Sequence, residues 1–183
     1  MAAHVRRVIA SVHVTLDGVM GAPEEWSFQF FDEESERHAA DELLSVDALL
    51  MGRVTYQEFA EFWPSATDAI GERMNALPKY VASTTVKHLE WRNCTLLAED
   101  AARAVAELKE QAGGDILLLA SADLANSLRA ENLIDEYRIW VDPIVHGSGK
   151  RYFPDDGATT VLRLTGTKTL GAGGIVLTYQ PRD

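Results

Sequence analysis

The segment LLMGRVTYQEF (residues 49–59) changes its pattern part of the way along. An uninterrupted apolar run ends at Gly52 and Arg53, and Thr55 and Phe59 then follow at helical spacing. A short buried strand that runs directly into a helix is the unit from which parallel α/β sheets are built. Because the first backbone N–H groups of a helix are unpaired and carry partial positive charge, this junction is a candidate anion site.

The alternation of strand and helix continues along most of the chain. Predicted strands cover residues 6–16, 47–52, 79–84, 93–98 and 115–120. Predicted helices cover residues 32–46, 55–63, 67–77, 100–114 and 121–133, and three consecutive strands cover 135–147, 159–170 and 174–180. We therefore predict an α/β fold in one domain spanning residues 1–183. Its sheet is mostly parallel, with helices on both faces and antiparallel C-terminal strands at one edge.

Composition narrows the class of protein. The chain has 183 residues, of which 46% are hydrophobic and 25% charged, as is ordinary for a soluble globular domain. Its formal net charge of −11 argues against nucleic acid or an anionic membrane as a partner. Cys94 is the only cysteine, so no intrachain disulfide can form. The sequence lacks a long apolar run and the apolar core of a signal peptide, so we expect a cytoplasmic protein.

Two other junctions share small and hydroxylated residues with the first. They are Ser83-Thr84-Thr85 and Ala120-Ser121-Ala122. Ligands of open parallel sheets bind outside the carboxyl ends of the strands, so neighbouring strands would bring Arg53 and several hydroxyls to one edge. A guanidinium group grips phosphate with two parallel hydrogen bonds, which favours a nucleotide. On residue types alone, each junction also fits a plain turn beside a solvated arginine.

Common nucleotide and metal motifs are absent from the sequence. HGSGKRYF (residues 146–153) has Arg151 where a P-loop needs Ser or Thr, and no G-x-G-x-x-G fingerprint occurs. The histidines lack metal-ligand spacing, so no metal site is predicted. The segment FFDEESE (residues 30–36) starts a helix with several carboxylates. Most complement the helix dipole, while one could relay a proton in a pocket beside Trp26 and Phe30; the spacing does not decide which.

Four blocks in this order resemble the dihydrofolate reductase-like superfamily over nearly the whole chain. The resemblance is to the reductase domain of the bifunctional riboflavin-biosynthesis deaminase–reductase. SVHVTLDGVMG (11–21) is similar to the first strand and the mobile loop over the nicotinamide. LLMGRVTYQEF is similar to the M-G-R-x-T-[YW]-E signature, and KYVAST (79–84) to the next strand. Residues 115–153 resemble the cofactor-side strand and helix and the P-V-x-x-G-x-G-x-x-[LF]-F run.

This resemblance implies a dihydrofolate reductase-like three-layer sandwich and a cofactor, NADPH. The implied reaction is hydride transfer to a C=N or C=O group, as in 5-amino-6-(5-phosphoribosylamino)uracil reductase. Arg53 would contact the adenosine 2′-phosphate and so favour NADPH over NADH. The implied cofactor-binding residues are Gly52, Arg53, Val54, Thr55, Ser83, Thr84, Ala120, Ser121, Ala122 and Leu124.

The resemblance also implies a substrate pocket bordered by Met20, Trp26, Phe30 and Phe153. Asp17 and Glu36 are the candidate catalytic carboxylates. The alignment with the pterin-gripping carboxylate of the folate enzymes leaves Asp32, Glu33 and Glu36 as alternatives. Lys150 and Arg151 are candidates for holding a substrate phosphate.

The chain also departs from the family pattern. Ala120-Ser121 replaces the usual Gly-Gly or Gly-Ser, whose peptide is cis in the folate enzymes. The bond here is either trans with a shifted loop or a cis bond that costs roughly 2.5–4 kcal/mol. Without a deaminase zinc signature, only the reductase step is expected. A dihydrofolate or pterin reductase, or a nucleotide-binding protein without catalysis, stays open as an alternative. Apolar edge strands predict a homodimer.

Overall fold

A computed structural model describes residues 5–182 of the chain. Its strands are β1 (Val8–Thr15), β2 (Ala48–Gly52), β3 (Lys79–Ala82), β4 (Cys94–Leu97), β5 (Ile116–Leu119), β6 (Glu136–Asp142), β7 (Leu162–Thr169) and β8 (Ile175–Pro181). Its α-helices are α1 (Glu33–Leu44), α2 (Arg53–Phe62), α3 (Ala69–Ala76), α4 (Ala101–Lys109) and α5 (Ala122–Ala130). Short 3₁₀ turns occur at Pro23–Glu25, Phe28–Phe30 and Trp63–Ser65.

All of these strands belong to one sheet, in the order β4-β3-β2-β5-β1-β6-β8-β7. The pairs from β4 across to β6 are parallel, whereas β8 is antiparallel to both β6 and β7. The predicted mostly parallel sheet with antiparallel C-terminal strands is therefore confirmed. Strand β5 enters between β1 and β2, so the centre of the sheet joins segments that are far apart in the sequence.

The sheet separates two apolar cores and makes a three-layer structure. Leu50 packs into the core that includes α4 and α5, while Leu49 and Met51 pack into the core that includes α1, α2 and α3. A strand covered on both faces needs an apolar residue at every position, which explains the continuous apolar run in β2. In β1 the faces alternate, with Val12 and its neighbours at even positions facing α5.

Several elements end earlier than the sequence pattern predicts. Strand β6 stops at Asp142 rather than at residue 147, because Pro143 has no N–H for the ladder. Helix α5 stops at Ala130 rather than at residue 133. There Asn132 adopts a left-handed φ of 54°, and the N–H of Leu133 donates to the carbonyl of Leu128 at 2.9 Å. That pair of features is a Schellman termination of the helix.

The first residue of β3, Lys79, is fully buried. Its Nζ donates to the carbonyl oxygens of Leu77 at 2.7 Å, Met74 at 2.8 Å and Asn75 at 3.4 Å, and it lies 4.5 Å from the centre of the Trp91 ring. The last carbonyls of a helix lack partners within the helix, so this ammonium group satisfies the carboxyl end of α3. Burial lowers the pKa of Lys79 to about 8.

Strand β7 forms one edge of the sheet and exposes apolar side chains. Val161, just before it, is 55% exposed and Leu164 is 50% exposed. The homodimer expected from such edges stays a prediction. Across residues 5–182, no helix has both the length and the apolar character needed to cross a bilayer.

Candidate functional site

The three junctions predicted to converge do lie side by side. Strands β3, β2 and β5 are neighbours and run parallel, so their carboxyl ends reach the same edge of the sheet. Strand β1 follows β5 in the same direction, which brings the segment after Thr15 to this edge as well. We call this edge, with Gly52, Ser83, Ser121 and Asp17, the carboxyl edge. It is where open parallel sheets bind ligands.

Ser121 connects two of the junctions through its side chain. Its Oγ accepts the N–H of Gly52 at 2.8 Å and donates to Oγ1 of Thr55 at 2.8 Å. Thr55 is buried, so this contact is sheltered from water. Ser121 is the N-cap residue of α5, but its side chain makes no hydrogen bond to the first turn of that helix, because its hydroxyl is used to fix the start of α2. The two helix starts are therefore held together by hydrogen bonds.

Helices α2 and α5 differ from the other three in their first turns. The carboxylates of Asp32, Asp68 and Asp100 accept backbone N–H groups at the starts of α1, α3 and α4. At Gly52 and Ser121, which precede α2 and α5, no side chain caps the helix. Two adjacent helix starts thus present backbone N–H groups and positive dipole ends that are free to meet an anion.

The turn into α5 has an uncommon backbone conformation. Ala120 and Ser121 both lie in the left-handed region, at φ of 47° and 52°, and no peptide bond in residues 5–182 is cis. Of the two alternatives left open above, the structure has the trans bond. Left-handed backbone costs a non-glycine residue roughly 1–2 kcal/mol, so strain is concentrated at the carboxyl edge.

We expect Ala120→Gly to raise the free energy of unfolding by about 0.5–1 kcal/mol. Relief of the left-handed strain exceeds the extra entropy that glycine gives the unfolded chain. Urea unfolding of both proteins measures the difference. Ala122→Gly, two residues later in regular helix, is the matched control and should destabilise. If both substitutions lowered the free energy of unfolding equally, the proposed strain at Ala120 would be contradicted.

The other predicted cofactor residues occupy varied positions along this edge. Arg53 and Val54 are exposed, and Nη1 of Arg53 donates to Oε1 of Gln57 at 3.0 Å. Thr84 is also exposed, while Oγ of Ser83 accepts the N–H groups of Thr85 at 3.1 Å and Val86 at 3.0 Å. The side chains of two further predicted cofactor residues are buried in the core. They are Ala122 and Leu124.

Asp17 holds the loop after β6 against the end of β1. Its carboxylate accepts the hydroxyl of Thr15 at 2.6 Å and the N–H groups of His146 at 3.0 Å and Gly147 at 2.8 Å. These hydrogen bonds, that from Thr15 above all, hold the pKa of Asp17 far below its ordinary range. The group therefore stays ionised at neutral pH, which does not suit a proton donor. Arg151 also donates to the backbone carbonyl of Asp17.

The four residues predicted to border a substrate pocket lie in the loop between β1 and α1 and in the loop after β6, and their role in a pocket stays a prediction. Trp26 is only 2% exposed and donates its indole N–H to the carbonyl of Gly21 at 3.0 Å, so it supports the loop before α1 from inside. Phe30 is half-buried just before α1. Phe153 packs against Tyr152, which belongs to the core that includes α4 and α5. The last of the four, Met20, is half-buried, and its backbone N–H donates to the carbonyl of Lys150 at 2.8 Å.

A surface cavity of about 580 Å³ lies between the first turns of α5 and residues 150–155. Lys150 and Arg151 both line it, as the predicted phosphate site requires. Nζ of Lys150 lies 2.6 Å from Oδ2 of Asp123, so its charge is already balanced. Phosphate binding by these two residues stays a prediction.

None of the carboxylates considered at the start of α1 is buried. Asp32 caps the helix by accepting the N–H of Ser35 at 2.9 Å, which lowers its pKa, and Glu33 and Glu36 are exposed. The buried carboxylate of this helix is Glu42, which the sequence reasoning missed.

Glu42 accepts Oγ of Ser11 at 2.8 Å and pairs with Nη1 of Arg138 at 3.3 Å. Burial raises the pKa of its carboxyl. A helical spacing of seven places Glu42 on the same face as the buried Ser35, and that spacing was the available signal.

His13 and Asp142 are a second missed pair, near the carboxyl edge. Nδ1 of His13 lies 3.2 Å from Oδ2 of Asp142, which is 4% exposed. The imidazole stacks on the Trp140 ring with centroids 4.7 Å apart, and Phe31 lies 6.3 Å from it. Alternation along SVHVT puts His13 on the α1 side of the sheet, opposite Val12 and Val14. Among residues 5–182 no group of three His, Cys, Asp or Glu side chains could hold a metal ion.

Comparison with known proteins identifies what this arrangement resembles. The model of the RibD C-terminal domain family matches residues 6–176. The uncharacterized protein YwjB of Bacillus subtilis (strain 168) is 31% identical over 169 residues, which cover 91% of this chain and 93% of YwjB.

Two solved structures share the fold. One is a putative riboflavin biosynthesis protein from Shewanella sp. PV-4, with a TM-score of 0.73 and 19% identity, covering 97% of this chain and 99% of that one. The other is dihydrofolate reductase from Enterococcus faecalis complexed with NADP(H), with a TM-score of 0.66 and 10% identity, covering 99% of each chain. The predicted dihydrofolate reductase-like fold is therefore confirmed.

Proposed function

The chain belongs to the RibD C-terminal domain family, and from this premise we propose that it is an NADPH-dependent reductase. The proposed reaction is hydride transfer to a C=N or C=O group of a small heterocyclic or carbonyl compound. The first candidate substrate is 5-amino-6-(5-phosphoribosylamino)uracil. When bound, the reduced nicotinamide would supply the hydride, and the protein would align the reacting groups and exclude water.

The paired helix starts at Gly52 and Ser121 are the observation that carries this proposal. Their side-chain caps are missing while the other α-helices have theirs, and the Ser121 hydroxyl fixes one start against the other. Phosphate groups are bound at such helix starts by backbone N–H groups and the helix dipole. The residues at this edge therefore fit a pyrophosphate-bearing nucleotide.

Arg53 is proposed to distinguish NADPH from NADH. Its guanidinium lies at the first position of α2, is exposed, and is bonded only to the exposed Gln57 among the described residues. It can turn towards a 2′-phosphate without breaking a buried contact. Charge-assisted hydrogen bonds of this kind contribute about 1.5–3 kcal/mol, which corresponds to roughly ten- to a hundred-fold in affinity.

We expect Arg53→Ala to weaken NADPH binding by about ten- to a hundred-fold and to leave weak NADH binding unchanged. Titrations that follow nicotinamide fluorescence measure both affinities. Arg163→Ala is the matched control, because Arg163 also donates to a glutamine side chain, Gln180 at 3.1 Å, but lies on β7 at the sheet edge away from β2. An equal loss of affinity for NADPH and NADH would show that Arg53 does not distinguish the two cofactors. No binding of either cofactor would overturn the reductase proposal and favour a fold that has lost its chemistry.

The dihydrofolate or pterin alternative has less support at α1. Asp32 is occupied as a helix cap, and the other two carboxylates considered there are exposed. The rate of NADPH oxidation with dihydrofolate, compared with the rate with 5-amino-6-(5-phosphoribosylamino)uracil under the same conditions, distinguishes the two substrates.

A further inference from the structure

His13 and Asp142 are arranged like a general acid whose ring orientation is fixed by a neighbouring carboxylate. The buried carboxylate of Asp142 accepts a hydrogen bond from Nδ1 of His13, and the Trp140 ring stacks on the imidazole at an interplanar angle of 28°. A hydrogen bond at Nδ1 leaves Nε2 as the nitrogen that exchanges protons. The His13 side chain is 32% exposed, and Nε2 has no hydrogen-bond partner within residues 5–182. This nitrogen is thus accessible while its partner carboxylate is not.

The register of the sheet brings this pair to the carboxyl edge. Ser11 is paired with Leu119, the last residue of β5. His13 therefore lies two residues, roughly 7 Å, further along β1, level with the turn at Ala120 and Ser121. Asp142 is the last residue of β6 and is paired with Thr15. His13 is therefore close to the carboxyl edge, and its side chain lies on the α1 face of the sheet against Trp140 and Phe31, opposite the face covered by α5.

We propose that His13 is the proton donor of the reductase reaction and that Asp142 is its positioning residue. This inference rests on the proposed function. Hydride adds to the carbon of the C=N or C=O bond, the π electrons move to the heteroatom, and that atom takes the proton from Nε2 of His13. The products are oxidised cofactor and an amine or alcohol, and His13 regains its proton from water. Asp142 stabilises the imidazolium and fixes its orientation.

Other charged groups face the same layer between the sheet and α1. Glu42 and His38 come from α1, and Arg138 comes from β6 with Glu42 as its partner. Burial raises the pKa of Glu42, and burial and Lys168 lower the pKa of His38. Asp142, also on β6, is the carboxylate that contacts the His13 ring directly, so it is the one assigned to orientation.

The first experiment compares wild type, His13→Gln and Asp142→Asn in the oxidation of NADPH with 5-amino-6-(5-phosphoribosylamino)uracil. We expect kcat to fall by about 10²–10⁴-fold in His13→Gln, with unchanged NADPH affinity by fluorescence. We expect wild-type kcat to decrease at high pH. This decrease should be absent in His13→Gln, and the pH at which it occurs should change in Asp142→Asn. His88→Gln, on an exposed loop, is the control and should match wild type. Unchanged kcat and pH profile in His13→Gln would overturn the proposal while leaving the reductase intact.

A second readout does not depend on turnover. Diethyl pyrocarbonate modifies accessible imidazole nitrogens, and mass spectrometry resolves His13 from His88. We expect NADPH to slow modification of His13 by about tenfold or more relative to His88. If 5-amino-6-(5-phosphoribosylamino)uracil is not reduced but NADPH still protects His13, the position of His13 beside the nicotinamide is supported. Only the choice of substrate is then rejected. An unchanged rate at His13 in NADPH-bound protein would overturn the proposal, and failure to bind NADPH would overturn it together with the proposed function.

Discussion

Replacing Lys79 with methionine should lower the free energy of unfolding by about 3 kcal/mol. Methionine retains the apolar length of the side chain but removes the donor to the carbonyls of Met74 and Leu77, whereas the carbonyl of Asn75 keeps the side chains of Arg92 and Asn93 as donors. Each buried carbonyl left without a donor costs about 1–3 kcal/mol, and partial relaxation of the α3 end reduces the total. Lost attraction to the Trp91 ring adds to the effect.

Urea unfolding of Lys79→Met, compared with Lys87→Met, measures this effect. Lys87 is exposed on the loop after β3, so its substitution should change stability by less than about 0.5 kcal/mol. A similar small change in both variants would show that the buried ammonium contributes nothing net to the end of α3.

The lowered pKa of Lys79 gives a second readout with a definite sign. With a pKa of about 8 in the folded protein and 10.5 ordinarily, Lys79 loses its proton first in the folded chain as pH rises. The unfolded chain then binds more protons than the folded chain, so the free energy of unfolding rises between about pH 8 and 10.5. We expect this rise in wild type and its absence in Lys79→Met.

Trp26→Ala should also lower the free energy of unfolding by about 3 kcal/mol. The indole is 2% exposed and is among the largest fully buried side chains, and its N–H donates to Gly21. Deleting a buried aromatic ring leaves a cavity and typically costs 3–5 kcal/mol, with the lower value expected where a loop can collapse. Because the loop from β1 to α1 packs on this ring, amide exchange across residues 16–32 should also become faster.

Phe28→Ala is the matched control for Trp26→Ala. Phe28 is an aromatic residue of the same loop that is 72% exposed, so its loss should have little effect on stability. The stability loss in Trp26→Phe should lie between those of Trp26→Ala and Phe28→Ala, because phenylalanine keeps part of the ring volume and loses the hydrogen bond. Faster exchange without a change in global stability would instead mean that this loop opens independently of the core.

The layout of the sheet could be predicted because local patterns were strong and agreed with one another. The apolar runs at residues 48–51 and 116–119 can only be strands covered on both faces, and the helices between them have clear periodicity. The family resemblance was carried by consecutive motifs. Element ends were harder, because they depend on contacts from elsewhere in the chain. The loop that ends β6 is held by Asp17, which lies far from it in the sequence.

The individual roles of polar residues were predicted less well. Ser121 has the residue type of a helix cap, but a bond to Gly52 from another strand decides what its hydroxyl does. His13 is a single polar residue in an apolar strand and Glu42 follows Asp41 in a charged helix, and nothing local identifies Asp142 and Arg138 as their partners. The His13–Asp142 pairing depends on the register of β1 against β6, and the Glu42–Arg138 pairing depends on how α1 packs on the sheet; neither is contained in a sequence read locally.

The position of β5 between β1 and β2 affects the order in which the protein can form during synthesis. When β1 and β2 leave the ribosome, neither has the neighbour it will hydrogen-bond to at the centre of the sheet, because that strand is still to be made. Early in translation the chain therefore holds two apolar strands with open edges, a state prone to wrong association. The turn at Ser121 emerges directly after β5, so the carboxyl edge forms only once the middle of the sheet has closed.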